Sequence, residues 1–139
     1  MNPKRALSFE EIRERLTPLL SEERLQFVLL FGSSAHGRMH KRSDIDLAFM
    51  FEGPADILEL SNRVIRLLRT DTVDVVDLSR ASPLLRYAAV KTGRLLYEKT
   101  PGLFNTFCSL AFRMYADTKK LRDGRAEAIG YFLGRRKSA

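Results

Sequence analysis

The feature that most narrows what this chain can fold into is the spacing between two short polar motifs. An apolar run (Leu25, Phe27, Val28, Leu29, Leu30, Phe31) stops at Gly32-Ser33. After ten intervening residues, Asp44-Ile45-Asp46 opens a second apolar run that continues through Phe51. The pattern predicts a strand, a small polar turn, and a second strand that begins with two carboxylates. In an extended strand, residues two apart share a face and lie roughly 6.6 Å from each other. Asp44 and Asp46 therefore aim at one region, while Ile45 and Leu47 aim at the opposite side.

Two hard carboxylate groups so placed suit Mg²⁺, which keeps several waters and takes substrate phosphates as its other ligands. A third carboxylate is expected from a neighbouring strand. Val73-Asp74-Val75-Val76-Asp77-Leu78 is the other strand-like run with acidic residues inside it. Asp74 shares a face with Val76 and Leu78 and is the chosen third ligand, with Asp77 the weaker candidate. Gly32 lets the backbone approach a phosphate closely, and Ser33 adds a hydroxyl and an N–H. A helical turn over 34–38 would turn its N-terminal amides toward an anion. No Gly-Lys-Ser/Thr follows, which excludes a Walker loop, and the spacing of Gly32 and Gly37 does not fit a dinucleotide fingerprint.

Taken together, Phe31-Gly32-Ser33, the gap to Ser43-Asp44-Ile45-Asp46-Leu47, the strand Val73–Leu78 and the segment Gly93-Arg94-Leu95-Leu96-Tyr97-Glu98 resemble the DNA polymerase β-type nucleotidyltransferase superfamily. Within it the chain is most similar to the small minimal nucleotidyltransferases. The resemblance spans roughly residues 25–98. It implies an α/β (α+β) polymerase β-like nucleotidyltransferase fold, a mixed β-sheet flanked by helices, with a C-terminal helical tail. It further implies transfer of AMP from ATP to a hydroxyl with release of pyrophosphate. Asp44 and Asp46 would hold two Mg²⁺ ions, and Asp74 the one nearer the attacking hydroxyl, helping to remove its proton. Gly32, Ser33, Ser43 and Arg38 are the nucleotide-binding candidates. Relatives commonly carry a basic residue just before the second glycine, where this chain has His36; Arg38 or Lys41 is the candidate replacement. His36 and His40 are expected to be loop residues, since imidazole is not what Mg²⁺ sites prefer.

Minimal nucleotidyltransferases resemble the antitoxin halves of toxin–antitoxin modules whose partners are helical HEPN proteins. The resemblance thus implies a protein adenylyltransferase that modifies a tyrosine of a HEPN toxin encoded by a neighbouring gene. Two other readings stay open. One is a nucleotidyltransferase acting on a small-molecule hydroxyl such as an aminoglycoside. The other is a non-catalytic antitoxin that binds the toxin without chemistry.

At 139 residues, with 45% hydrophobic and 29% charged positions, the chain suits one globular unit. Residues 1–100 are read as the nucleotidyltransferase core and 101–139 as a helical extension packed on the core or on a partner. Met1–Glu14 is polar, so no signal peptide is expected, and no apolar run reaches the length of a membrane span. The reading is a cytoplasmic protein with no membrane association. The single cysteine, Cys108, lies among Phe104, Phe107, Leu110 and Ala111 and suits a buried role. The net charge of +7 is concentrated toward the C-terminus. Aromatic residues are not interleaved with those charges as base stacking requires, which argues against nucleic acid as a direct ligand and for a protein partner.

Periodicity supplies the rest. Ser8-Phe9-Glu10-Glu11 reads as a capping box opening a helix to about Leu20. Strands are expected at 25–31, 44–51, 73–78 and 94–98, with helices over the stripe Ile57–Leu68 and from Ser82-Pro83 to Thr92, where Gly93 stops the second. In the tail, Phe104, Phe107, Leu110, Ala111, Met114, Tyr115 and Leu121 form a helical stripe expected to close the core. A second stripe (Ile129, Tyr131, Phe132, Leu133) is surplus to so small a sheet and points to a partner or to homo-oligomer formation.

Overall fold

The computed structural model describes residues 7–31 and 45–138, the side chains of residue 120 and of residues 125–138 excepted. The elements run α1 (Phe9–Arg15), α2 (Thr17–Leu20), β1 (Leu25–Phe31), β2 (Ile45–Phe51), α3 (Ile57–Leu68), β3 (Val73–Asp77), a 3₁₀ turn (Leu78–Arg80), α4 (Pro83–Thr92), β4 (Arg94–Glu98) and α5 (Leu103–Ser138). The strands lie in the order β3-β2-β1-β4. β1 is antiparallel to both β2 and β4, whereas β2 and β3 are parallel. A parallel pair needs a crossover connection, and α3 supplies it.

Period-two alternation along the strands sorts their side chains into two cores. Val28, Leu30, Leu47, Phe49 and Leu96 face α1, α2 and α3, where Ile12, Leu16, Leu19, Leu60, Val64 and Leu68 meet them. Phe27, Leu29 and Ala48 face α4 and α5 and are covered by Ala89, Val90, Phe107 and Ala111. α3 buries Leu60, Val64 and Leu68, four residues apart on one stripe. Its N-terminus is capped by Asp56, which accepts from the Glu59 N–H at 3.2 Å, and it ends at Arg69 in the left-handed region, φ 57°.

The expected helix from Ser8 to Leu20 is two helices. Ser8 caps the first, its Oγ accepting from the Glu11 N–H at 3.1 Å. The break falls at Leu16 because Pro18 has no N–H to donate to the carbonyl one turn back. Gly93 stops α4, but not by left-handed geometry: its backbone is extended, φ −77°, ψ 149°. A Cβ there would collide with the Ala89 carbonyl oxygen, so the glycine permits a close approach of strand to helix.

β3 ends at Asp77, since Leu78 has already turned into the 3₁₀ segment. Asp77 is 6% exposed. It accepts from the Ala55 N–H at 3.2 Å, the Ser79 N–H at 3.0 Å and the Ser79 hydroxyl at 2.6 Å. Its carboxylate therefore ties the start of α3 to the end of β3.

Glu98 caps α5 by accepting from the Phe104 N–H at 2.9 Å. Phe104 and Phe107 meet Phe27 edge to face, with centroids 5.5 and 5.2 Å apart. The tail's first apolar stripe is only partly buried. Phe107 and Ala111 are in the core, but Leu110 and Leu121 are exposed. Leu110, between Phe107 and Ala111, lies on the solvent flank of the helix; for Leu121 the reason is length, since 36 helical residues rise about 54 Å and strands of five to seven residues span only about 17–23 Å.

Replacing Asp77 by Ala strips two backbone donors and one hydroxyl of their buried acceptor. The expected cost is about 2–4 kcal/mol, read by urea denaturation. The exposed Asp71→Ala serves as control, and equal losses in the two variants would show that the Asp77 network contributes nothing.

Candidate active site

The parallel pairing of β2 and β3 begins where the Ile45 N–H donates to the Thr72 carbonyl at 2.9 Å. From there Ile45 pairs with Val73, and Asp46 with Asp74. Ile45, Leu47, Val73 and Val75 all pack with the first core, while Ala48 and Val76 pack with the second. Alternation therefore puts Asp46 and Asp74 side by side on the α4/α5 face, on strands about 4.8 Å apart. On the other side of Asp46 its register partner is Phe31 of β1, whose ring packs on the second core. Asp46 is half-buried in this central strand, and Asp74 is exposed on the edge strand.

The two residues that sequence reasoning placed on separate strands are thus brought together. Asp77 is on the opposite face and is fully engaged by Ala55 and Ser79. Asp44, Gly32, Ser33, Arg38 and Ser43 lie outside the described residues, as do His36, His40 and Lys41. Phe31 ends β1 and Ile45 begins β2 at the same end of the sheet; Gly32-Ser33 and Asp44 are their neighbours in sequence. Sequence reasoning did not assign Phe31 as a wall of the site. Only the β1/β2 register shows it.

Like charges in directly opposed cross-strand positions repel. A divalent cation bound between Asp46 and Asp74 would offset that repulsion, and carboxylate oxygens are the hard donors that Mg²⁺ takes. Among the described residues no group of three or more His, Cys, Asp or Glu side chains could hold a metal. The further carboxylate expected from the sequence, Asp44, lies outside the described residues. Cys108 is half-buried, and burial pushes its thiol up, so the unreactive thiol form prevails. Among the described residues no helix is long and apolar enough to cross a membrane.

Residues 14–101 match the family model described as polymerase beta, nucleotidyltransferase. The protein adenylyltransferase MntA of Aphanizomenon flos-aquae is 27% identical to the chain, over 90% of this chain and 92% of that protein. Among solved structures, one described as a toxin–antitoxin with AMP-PNP matches with a TM-score of 0.74 and 29% identity. It covers 88% of this chain and 98% of its own. Another, a tri-AMPylated Shewanella oneidensis HEPN toxin in complex with MNT antitoxin, matches with a TM-score of 0.71 and 26% identity. The match covers 87% of this chain and 98% of that one.

Asp74→Asn removes one of two adjacent charges without changing shape. Without divalent ions the variant is expected to gain up to about 0.5 kcal/mol in stability. It should also lose most of the thermal protection that Mg²⁺ with a non-hydrolysable ATP analogue gives the parent chain. Equal protection of parent and variant, followed by differential scanning fluorimetry, would exclude Asp74 from the metal site.

Proposed function

We propose, from the premise that this chain belongs to the polymerase beta nucleotidyltransferase family, that it is a protein adenylyltransferase moving AMP from ATP to a tyrosine hydroxyl of a HEPN-type toxin. In this reading it is the antitoxin of the pair and works where ATP is made and used, in the cytoplasm. The observation that carries the chemistry is the in-register pairing of Asp46 with Asp74 on one face of the sheet. The full-length likeness to toxin–antitoxin structures supports the choice of acceptor. Residues 1–100 form the catalytic unit and 101–139 the extension that meets the partner.

The hydroxyl oxygen attacks the α-phosphorus of ATP. A new P–O bond forms while the bond to the oxygen bridging to the β-phosphate breaks, and pyrophosphate leaves with that electron pair. The hydroxyl proton passes to the Asp74 carboxylate. Two Mg²⁺ ions, when bound, neutralise charge on the transferring phosphoryl group and lower the pKa of the hydroxyl. Asp44 and Asp46 would hold them, Asp46 from the start of β2. Phe31 and the paired strands limit how far the half-buried Asp46 can move, so its oxygens are held in place before substrate binds. Asp74 on the exposed edge strand takes the acceptor side. Gly32 and Ser33, leaving β1 at the same end, hold the β- and γ-phosphates. Ser43 and Arg38 complete the nucleotide contacts, with Arg38 or Lys41 supplying positive charge.

The test is intact mass of the partner toxin after incubation with this chain, ATP and Mg²⁺. A gain of one or more AMP units is expected. Asp46→Asn should slow transfer at least about a thousandfold, corresponding to roughly 4 kcal/mol of transition-state stabilisation. Neutralisation of the toxin with no mass gain, and unchanged in Asp44→Ala/Asp46→Ala, would replace catalysis by simple binding. Transfer to an aminoglycoside but not to the toxin would replace the acceptor.

A further inference from the structure

Among the described side chains, those of α5 that pack on the rest of the domain lie in its first third. Phe104, Phe107 and Ala111 lie in the second core. Among the described residues, the last ring contacts to another element are those of Phe112 and Tyr115 with Tyr87 of α4. The Tyr87 and Tyr115 rings stack with centroids 3.8 Å apart and 9° between planes. Arg122 reaches back within the helix, its guanidinium 4.0 Å over the Tyr115 ring and donating to the Tyr115 hydroxyl at 3.0 Å. This cation–π contact closes the stack on its C-terminal side. Beyond Tyr115 the helical backbone continues to Ser138, roughly 35 Å further.

A helix of that length carrying Gly124, Gly130 and Gly134 is marginal when surrounded by water, because most helical stability in proteins comes from tertiary packing. Among the described side chains of this stretch, Leu121 is 72% exposed. The charge is just as uneven. α5 carries eight Lys and Arg against three Asp and Glu, which accounts for five of the chain's seven excess positive charges. Such a field attracts an acidic partner and repels a second copy of the same helix.

We infer that the part of α5 beyond Tyr115 is the docking helix for the acceptor protein, entering a surface with net negative charge and an apolar slot for Leu121. The inference rests on the proposed adenylyl transfer and gives it a division of labour. The sheet end bearing Asp46 and Asp74 performs the transfer, and the projecting helix selects the protein that receives AMP. The Tyr87–Tyr115–Arg122 stack fixes the direction in which that helix projects.

The test uses the full chain and the partner toxin. Leu121→Glu reverses both the apolar and the charge complementarity at an exposed site, and glutamate is about as good a helix former as leucine. The variant should bind the toxin at least about tenfold more weakly and show a raised KM for it. Thermal protection by Mg²⁺ with an ATP analogue should stay at the parental level, because the nucleotide site is untouched. Leu121→Gln should fall between the two, and added salt should weaken parental binding. Parental toxin binding and KM in Leu121→Glu would overturn the inference while leaving the transfer reaction standing. A parent chain that self-associates, and that Leu121→Glu makes monomeric with toxin binding intact, would also overturn it in favour of a second copy. If the parent chain transfers no AMP yet binds the toxin through Leu121, the reaction fails and the docking helix stands.

Discussion

The parallel register between β2 and β3 is the constraint on which the rest of this fold rests. β2 is central, and every residue from Ile45 to Phe51 except Asp46 is apolar. Ile45, Leu47, Phe49 and Phe51 fill the first core, and Ala48 and Met50 pack against the second. A slip of one residue would turn every side chain to the opposite face. It would drive the Asp46 carboxylate among Leu60, Val64 and Leu68 and expose leucine where the site should be. The fold prevents this with contacts at both ends of the crossover. The Asp56 cap and the left-handed Arg69 fix the length of α3, Arg15 donates to the Leu68 carbonyl at 2.8 Å, and the Ile45–Thr72 hydrogen bond sets the first rung.

That arrangement explains why two acidic residues of one strand behave so differently. Asp74 and Asp77 are three apart in β3, and an odd separation puts them on opposite faces. Asp77 points toward the side bearing α3. There its negative charge is absorbed by two N–H groups and a hydroxyl, with Arg80 at 3.9 Å. Asp74 points toward the side bearing Asp46 and meets another carboxylate. One site is electrostatically closed and holds the chain together. The other sets two carboxylates in register on one face, the arrangement on which the proposed metal site rests.

The secondary structure was legible in the sequence wherever a local signal ended an element. Gly53-Pro54 closes β2, Ser82-Pro83 starts α4, Gly93 stops it and Pro101-Gly102 precedes α5. The strand and helix bounds follow these punctuation marks closely. What was hidden depended on distant partners. The break at Leu16 needed the loss of the Pro18 N–H weighed against a continuous apolar stripe. That Gly93 ends α4 was legible, but its reason, the Ala89 carbonyl beside it, was not. The sequence put Asp46 and Asp74 on two strands but carries no register, so neither their pairing nor the position of Phe31 beside Asp46 could be read from it. The tail's apolar stripe looked like core because periodicity records which face is apolar, not how far the sheet beneath it extends.

The length of α5 and the burial of Asp46 meet in one consequence for the proposed reaction. A carboxylate half-buried in a central strand is well placed to hold an ion, and poorly placed to greet a protein. Asp74, exposed on the edge strand, is the one that a bulky acceptor can approach. A helix that outruns the sheet adds surface without enlarging the core. In the proposed division of labour, chemistry stays on the paired strands β2 and β3, while α5, anchored by Phe104, Phe107 and Ala111, carries recognition beyond Tyr115.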